Sequence, residues 1–327
     1  MWRGAIVLAL GLVLGLVLFL STRGMRSTMA DAQAAPKPAP IDGDRAYRYL
    51  KQICALGPRP AGSEANERQR QLVAAHFKQM GAEVREQPFT SRDPRSGQPV
   101  AMANLIGSWF PDRTERVVIG AHYDTRPFPD QETDPSQWNQ PFLGANDGAS
   151  GVALLMEIAH HLKQMDTPWG VDLVLFDGEE LVYGRNASLD NYFLGSRAFA
   201  SAYAADRKRG RPKARYVHGI VLDMVGGRDL AITQEPYSLK LHPRLVREIW
   251  DIAHRLKEPG FLDRKTWTEV SDDHLPLNAA GIPTIDLIDF DYPHWHKASD
   301  RPENCSAASL AQVGRVVTAW LVQPRKR

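Results

Sequence analysis

The chain has 327 residues, of which 43% are hydrophobic, and its formal net charge is +2 because 40 basic residues nearly balance 38 acidic ones. This length suffices for one large α/β domain, and the composition is that of an ordinary globular core. No dominant basic field is present, and the basic stretches at 207–215 and 325–327 are interpreted as a solvated loop and a tail. The charge balance therefore argues against nucleic acid as a partner.

The N-terminus differs sharply from the rest of the chain. An uninterrupted run of apolar residues and glycines extends from Gly4 to Leu20, with arginines on both sides. Such a run is at the lower limit for spanning a bilayer, and the small-residue sequences at 30–34 that could be cleaved lie well beyond it. We therefore predict that residues 1–26 form an uncleaved membrane anchor with the remainder outside the cytoplasm. The alternative is a signal segment whose removal near 30–34 would leave a secreted or periplasmic protein.

The folded part is predicted to begin after a linker. Residues 27–42 are rich in alanine and proline and are expected to form an extended tether, followed by one catalytic domain over 43–323. Its first elements are predicted as helices from Asp44 to Ala55 and from Ser63 to Met80. The second helix has apolar residues at helical spacing, and Gly81 is the residue type that most often ends a helix.

Short apolar runs alternate with helix-length stretches through the middle of the chain. Runs of this kind, buried on both faces, predict parallel strands in an α/β fold. The predicted strands are Ala103 to Ile106, Val117 to Ala121, Val171 to Phe176, Ile220 to Leu222 and Thr284 to Ile288. We expect the first two to be neighbours joined by a turn at 111–113. Further helices are predicted at 151–165, 243–256 and 309–321.

Metal-type ligands occur within or just after these segments. In open α/β sheets, sites collect outside the carboxyl ends of the strands, so such residues are placed to converge. Oxygen and nitrogen donors without cysteine fit a catalytic zinc ion with an open position for substrate. The candidate ligands are His122, Asp147, Glu179, Glu180, Asp223 and His296.

Glu179 and Glu180 are adjacent at the end of a predicted strand. Neighbouring side chains in extended backbone face opposite sides, so one glutamate can bind metal while the other stays free for general acid-base work. An isolated pair of this type is more often a solvated acidic turn, but the other ligand segments make that interpretation unattractive here.

Other polar residues have both a functional and a structural interpretation. Asp124 could orient a neighbouring ligand, although an isolated histidine-x-aspartate triplet is more often structural. The structural interpretation of the run from Ser271 to His274 is a helix cap made by Ser271 or Asp272, which is compatible with one of these residues also facing the site. The polar loop from Tyr123 to Leu143 is long enough to be functional, and we expect it to wall the site, together with the segment from Gly184 to Leu194 after the glutamate pair.

Cys54 and Cys305 are the two cysteines of the chain. Because the chain is expected to be exported, they could form a disulfide; two separate buried thiols are the equal alternative. Both lie outside the ligand segments, so a catalytic thiol is not expected.

The order and wording of the motifs resemble those of a known family. From about Asp44 to Leu321 the chain is similar to the zinc-dependent aminopeptidase superfamily, and within it most closely to the animal-type glutaminyl cyclases. The segments that carry this resemblance are GAHYDT, GANDGASG, FDGEE, GSRAFA, VLDMVGG, SDDHLPL, GIPTIDLI and WHKASD. The doubled aspartate Asp272-Asp273 and the pair Trp295-His296 favour the cyclase branch.

The resemblance implies a three-layer α/β/α sandwich around a mixed, mostly parallel twisted sheet. It implies that one zinc ion is bound by three ligands, with a further carboxylate as proton shuttle and two more acidic residues hydrogen-bonded near the site. The ligands would be Asp147, Glu180 and His296, the shuttle Glu179, the further acids Asp223 and Asp272, and the aromatic lining the substrate pocket Trp295. In aminopeptidases, the positions of His122 and Asp223 hold a second zinc ion.

The reaction implied by the resemblance is cyclisation of an N-terminal glutamine of a peptide to pyroglutamate, with release of ammonia. The alternative is a two-zinc aminopeptidase that hydrolyses N-terminal residues, and a third possibility is a tethered binding domain that has lost catalysis. The last would require a missing ligand or a missing Glu179, and none is missing. Peptide or protein N-termini are the expected partners, and the protein is expected to be a monomer.

Overall fold

The structure is a computed structural model that describes residues 37–183, 192–210 and 214–324. The predicted anchor and residues 27–36 of the predicted linker lie outside the described residues. Among the described helices, none is both long and apolar enough to cross a membrane.

The first part of the fold is two helices and three strands. Asp42 caps α1 by accepting a hydrogen bond from the backbone of Arg45, and Ser63 caps α2 in the same way. Gly81 has a φ of +88°, which confirms its predicted role at the end of α2. The elements are α1 (Gly43–Cys54), α2 (Glu64–Gln79), β1 (Glu83–Arg92), β2 (Pro99–Trp109) and β3 (Glu115–His122).

The remaining elements alternate between helices and strands. They are α3 (Ala149–Leu162), β4 (Gly170–Phe176), α4 (Leu194–Lys208), β5 (Arg215–Asp223), β6 (Ile232–Gln234), α5 (Pro236–Leu241), α6 (Pro243–Leu256), β7 (Phe261–Lys265), α7 (His274–Ala279), β8 (Thr284–Ile288) and α8 (Ala307–Leu321). Single turns of 3₁₀ helix occur at Pro135–Gln137 and Pro302–Asn304. The elements β1, α4, β6, α5, β7 and α7 were not predicted from the sequence.

Six strands form one sheet in the order β1-β2-β4-β3-β5-β8, and β6 pairs with β7 in a small second sheet. β1 and β2 are antiparallel, as are β2 and β4, whereas β4, β3, β5 and β8 run parallel. The expectation that β2 and β3 are neighbours is wrong. After α3 the chain returns to the space between β2 and β3. There β4 pairs with both of these strands and is buried along its whole length.

The sheet is covered on both faces, which confirms the predicted three layers. Alternate residues of β3 belong to different cores: Val117 and Ile119 pack on one face and Val118 on the other. The first face is covered by α1, α2, α3, α6 and α8 and the second by α4 and α7. This burial of the strands leaves their carboxyl ends as the open edge of the sheet.

Cys54 and Cys305 are both buried and are not bonded to each other in this structure. The arrangement matches the alternative of two separate thiols. Burial raises the pKa of Cys54 to about 11, so this thiol is unreactive at neutral pH.

A buried carboxylate joins α1 to α3. Glu157 is fully buried, and its two oxygens lie 2.6 Å and 2.8 Å from the guanidinium nitrogens of Arg45. It also accepts a hydrogen bond from the backbone of Asp42, and His161 lies 3.1 Å away. Burial opposes ionisation, but the hydrogen bonds from His161 and Arg45 lower the pKa of Glu157 to about 2.

We predict that Glu157→Gln lowers the free energy of unfolding by about 2 kcal/mol at neutral pH. Because the native pKa lies below the ordinary value of an unfolded glutamate, the contribution is present above about pH 4.5 and is lost as the pH falls towards 2. Urea denaturation of both proteins at pH 7 and pH 3 measures the difference. Glu67→Gln, at an exposed position of α2, is the control. A deficit as large at pH 3 as at pH 7 would contradict the prediction.

Candidate active site

The predicted ligands converge at the carboxyl edge of the sheet. His122 ends β3 and Asp223 ends β5, while Glu179 and Glu180 follow β4 by three and four residues. Asp147 lies in the loop just before α3, and His296 lies in the loop after β8. This is the edge at which open α/β sheets place their sites.

Asp147, Glu180 and His296 form one buried group. The Nε2 atom of His296 lies 2.8 Å from Oε1 of Glu180 and 3.5 Å from Oδ2 of Asp147. Each residue offers one ligand atom, and these atoms all lie within 4.8 Å of one another. His296 has a φ of +53°, a conformation that costs a non-glycine residue energy and is often found at functional sites.

His122, Asp147 and Asp223 form a second group that shares Asp147 with the first. The Nε2 atom of His122 lies 3.2 Å from Oδ1 of Asp147 and 3.2 Å from Oδ1 of Asp223. Asp147 therefore directs one oxygen to each histidine. The structure thus brings together both the three residues predicted for one ion and the pair predicted for a second.

The two adjacent glutamates have different partners. Glu180 lies against His296, whereas Oε2 of Glu179 lies 4.0 Å from Nδ1 of His122 and the side chain lines a cavity. The separation does not come from strand alternation, because β4 ends at Phe176 and Gly178 has a φ of +68°. The pair lies in a turn, and this turn sets the directions of the two side chains.

Asp124 holds the turn that carries the glutamates. Its two carboxylate oxygens accept hydrogen bonds from the backbone N–H groups of Glu179 and Glu180, at 3.0 Å and 3.1 Å. Oδ1 of Asp124 also lies 3.8 Å from Nδ1 of His122. Asp124 is fully buried, so it positions both the histidine and the glutamate pair from beneath the site.

Sequence reasoning missed a comparable role for Asp300. Its carboxylate accepts hydrogen bonds from the backbone N–H groups of Asn146 and Asp147 and from the hydroxyl of Tyr292. Burial and the charge of Asp147 raise the pKa of Asp300 to about 7. Asp300 belongs to the segment WHKASD, but nothing in that segment indicates contact with the loop at 146–147.

Arg126 and Asp130 were also missed, although both belong to the loop that was predicted to wall the site. The Nε atom of Arg126 lies 3.1 Å from Oε1 of Glu180 and 3.0 Å from Nε2 of His296. Oδ1 of Asp130 lies 2.9 Å from the other ring nitrogen of His296. A carboxylate on the far nitrogen of a ligand histidine fixes the ring so that Nε2 faces the ligand group.

The electrostatics of this group are those of carboxylates that need a cation. Burial and then Glu180 raise the pKa of Asp147 to about 6. Burial opposes the charged forms of Glu180 and His296, but Arg126 and His296 lower the pKa of Glu180 to about 2, and Glu180 raises that of His296 to about 9. The carboxylates thus favour the protonated, positively charged form of the His296 imidazole.

The donor set fits a divalent metal ion. Oδ2 of Asp147 and Oε2 of Glu180 are buried oxygens with no hydrogen-bond partner among the described residues. Two carboxylates and one imidazole at this spacing match a catalytic zinc site with an open position. A bound dication would satisfy these oxygens and take the imidazole in its neutral form.

Asp272 and Asp273 point to different surroundings. Asp272 lines the cavity next to Asp223, whereas Asp273 accepts a hydrogen bond from the hydroxyl of Ser196 in α4. Helix α7 begins at His274, and Asp273 occupies the cap position without a side-chain cap bond. The alternative of a cap made by Ser271 or Asp272 is therefore wrong.

A fully buried group lies behind Asp272. His274 has Nε2 at 3.5 Å from Glu235 and Nδ1 at 3.9 Å from Asp286, and all three side chains are closed to solvent. Burial and then the charge of Asp272 raise the pKa of Asp286 well above its usual range. These residues connect Asp272 to the body of the fold.

The cavity in front of the ligands has a volume of about 520 Å³. Glu179, Asp272 and Trp295 all line it. Arg126 and Asp130 contribute to one wall, which confirms that the loop from 123 to 143 borders the site. Of the second expected wall, 184–194, residues 184–191 lie outside the described part, and Tyr192 and Phe193 reach the cavity.

This combination of an open α/β sheet and a buried carboxylate-imidazole group at its carboxyl edge, beside a further glutamate, is typical of the zinc exopeptidase class of α/β metalloenzymes. The sequence agrees at the level of family. The chain belongs to peptidase family M28, whose profile matches residues 104–321.

Relatives with solved structures include both cyclases and peptidases. A glutaminyl cyclase from Fimbriiglobus ruber is 42% identical, with a TM-score of 0.84 over 89% of this chain and 99% of that one. A leucine aminopeptidase precursor from Bacteroides thetaiotaomicron is 30% identical, with a TM-score of 0.79 and the same coverage. The glutaminyl-peptide cyclotransferase-like protein of Mus musculus is 27% identical over 292 residues, which span 81% of this chain and 72% of the relative.

We predict that Asp130→Asn weakens zinc binding by about 10- to 100-fold, because the His296 ring loses the carboxylate that orients it. Titration against a chelator of known zinc affinity measures the change. Asp291→Asn, an exposed residue five positions before His296, is the control and should bind zinc like the unaltered protein. Equal affinity in the two variants would show that Asp130 does not orient the ligand.

Proposed function

We propose that this protein is a zinc-dependent glutaminyl-peptide cyclotransferase, which converts the N-terminal glutamine of a peptide to pyroglutamate and releases ammonia. The supporting observation is that Asp272 and Trp295, from the two segments that favour the cyclase branch, both line the cavity that contains Glu179. The similarity to the cyclases of Fimbriiglobus ruber and Mus musculus supports the same conclusion.

In this proposal, Asp147, Glu180 and His296 hold one zinc ion. The chemistry that zinc supplies when bound is polarisation of a carbonyl oxygen, here that of the substrate's side-chain amide. Arg126 and Asp130 keep Glu180 and His296 in place, and Asp300 fixes the backbone of Asp147.

Glu179 is the proton shuttle of the proposed reaction. It accepts a proton from the α-amine as the amine nitrogen bonds to the side-chain carbonyl carbon, and it delivers a proton to the nitrogen that leaves as ammonia. The backbone hydrogen bond to Asp124 holds this glutamate at the cavity wall, separate from Glu180. Asp223 and Asp272 line the same cavity and are proposed to hydrogen-bond to the reacting amine and amide.

The nucleophile and the electrophile belong to the same substrate molecule. Intramolecular attack gains rate from proximity, so a folded conformation of the glutamine side chain already brings the amine against the carbonyl carbon. Trp295 supplies an aromatic surface for that conformation. No attacking water has to be generated, and a second metal ion is therefore not required.

The second candidate is a two-zinc aminopeptidase. The observation that favours it is the group formed by His122, Asp147 and Asp223, which retains the donors for a second ion next to the first. The leucine aminopeptidase precursor of Bacteroides thetaiotaomicron, at 30% identity, belongs to the same set of relatives.

The two reactions give different products from one peptide. The chain from Ile41 onward, loaded with zinc, is incubated with a peptide that begins with glutamine, and the products are analysed by mass spectrometry. The cyclase is expected to remove one ammonia and leave every peptide bond intact. Release of the whole first residue would instead establish the aminopeptidase.

We predict that Glu179→Gln lowers kcat by about 10²- to 10⁴-fold, because the amide cannot transfer the proton. Zinc content and the unfolding midpoint should stay unchanged, whereas His296→Ala should lose the metal. Glu269→Gln alters another carboxylate that lines the same cavity and serves as the control. Full activity in the Glu179 variant would exclude its role as shuttle.

Membrane attachment through residues 1–26 is also proposed, with the catalytic domain on the extracytoplasmic side and acting as a monomer. Its basis is the apolar run from Gly4 to Leu20. The full chain should remain in membranes after alkaline carbonate extraction, and the chain from Ile41 should be released and sediment as a monomer. Recovery of a shortened, soluble product from the full chain would favour the cleaved, secreted form.

A further inference from the structure

A row of aromatic rings leads from the protein surface to the active site. The ring centroid of Trp267 lies 5.9 Å from that of Phe290, and the centroid of Phe290 lies 5.1 Å from that of Trp295. The centroids of Trp295 and of the His296 imidazole are 4.1 Å apart. Trp267 is 71% exposed, more than any other large apolar side chain among the described residues. Such exposure of a tryptophan that already contacts another ring indicates a binding surface.

Both segments that carry the outer rings are fixed to the interior. Next to Trp267, the N–H of Thr266 donates to the carbonyl of Gln234, and its hydroxyl lies 2.8 Å from that of Thr233. Beyond it, the N–H of Val270 donates to the buried carboxylate of Glu235. The exposed ring is therefore presented by a loop that is pinned at both ends.

Phe290 is held in a similar way. It follows β8, and the preceding Asp289 is buried and accepts a hydrogen bond from the backbone of Ala231. Phe290 and Trp295 line the cavity that contains Glu179, and Trp267 extends this apolar wall outward. The wall is continuous from the active site to the solvent.

Other parts of the cavity lining are charged, among them the side chains of Arg126, Asp130 and Arg197. A peptide whose first residue occupies the cavity has to pass this lining on its way to the solvent. An apolar side chain at its second position is accommodated by the aromatic side, because burial against charged groups would cost desolvation.

We propose that Trp267 and Phe290 form a subsite for an apolar or aromatic side chain at the second position of the substrate peptide. The proposal rests on the proposed function only in placing the peptide's N-terminal residue in the cavity. The subsite supplies binding energy from a part of the peptide that does not react. It selects among peptides that share the same first residue.

Binding to a variant without turnover tests the subsite directly. In the Glu179→Gln background, the Kd values of Gln-Phe-Ala and Gln-Gly-Ala are measured by titration calorimetry, with and without Trp267→Ala. An aromatic pair contributes enough to predict that Trp267→Ala weakens Gln-Phe-Ala by about three- to ten-fold. The Kd of Gln-Gly-Ala should stay within about two-fold, and Trp267→Phe should retain most of the preference.

Trp138→Ala is the matched control. Trp138 is the other exposed tryptophan of the described residues, and it lines a separate pocket next to Asp130. This variant should change neither Kd. The same comparison with active protein should show the loss in kcat/KM for Gln-Phe-Ala alone.

Two outcomes would overturn the proposal. Equal weakening of both peptides by Trp267→Ala would mean that the substitution disturbs the cavity, and no weakening would mean that the second side chain does not reach this wall. A change in sedimentation without a change in peptide preference would instead assign Trp267 to contact with a second copy. Absence of ammonia release by the unaltered enzyme would refute only the cyclase, because the Kd comparison does not depend on the reaction.

Discussion

The structure depends on the close approach of several carboxylates in a space that water hardly reaches. Asp147, Glu179 and Glu180 are all buried, and Asp223 and Asp272 line the same cavity. Burying unpaired negative charge is costly, so an arrangement of this kind persists only where cations and hydrogen-bond donors face it. The imidazoles of His122 and His296 and the guanidinium of Arg126 supply part of the positive charge that the carboxylates need. A divalent ion would supply the rest.

A second set of carboxylates organises the first through the backbone. Asp124 takes the two N–H groups of the glutamate turn, and Asp300 takes those of the loop that carries Asp147. These bonds fix the backbone of the glutamate turn and of the loop that carries Asp147. His296 adds a left-handed backbone conformation that costs a non-glycine residue energy. The strain is thus placed where the side chains must point into one small volume, and the parallel sheet beneath provides the rigid support.

In the proposed function, the charged site and the outer aromatic wall would act on different parts of one substrate. The charged groups would act on the first residue, where bonds form and break, whereas Trp267 and Phe290 would contact a side chain that does not react. Binding energy from such remote parts can hold the reacting groups in place, which matters most for an intramolecular reaction. The family resemblance to both cyclases and peptidases is then understandable, because the two reactions can use the same ligands and the same shuttle.

The sequence by itself determined the local features of this protein. Apolar runs located five of the strand cores and the edge at which ligands emerge, and the motifs indicated the family and the candidate residues of the site. The tertiary structure alone decided that β4 lies between β2 and β3, and that Asp300 supports Asp147 across 153 residues. It also brought Asp130 to His296 and Trp267 to Phe290. Periodicity records which face of an element is buried, but contacts between distant residues depend on how loops return to the sheet, and no local pattern encodes that path.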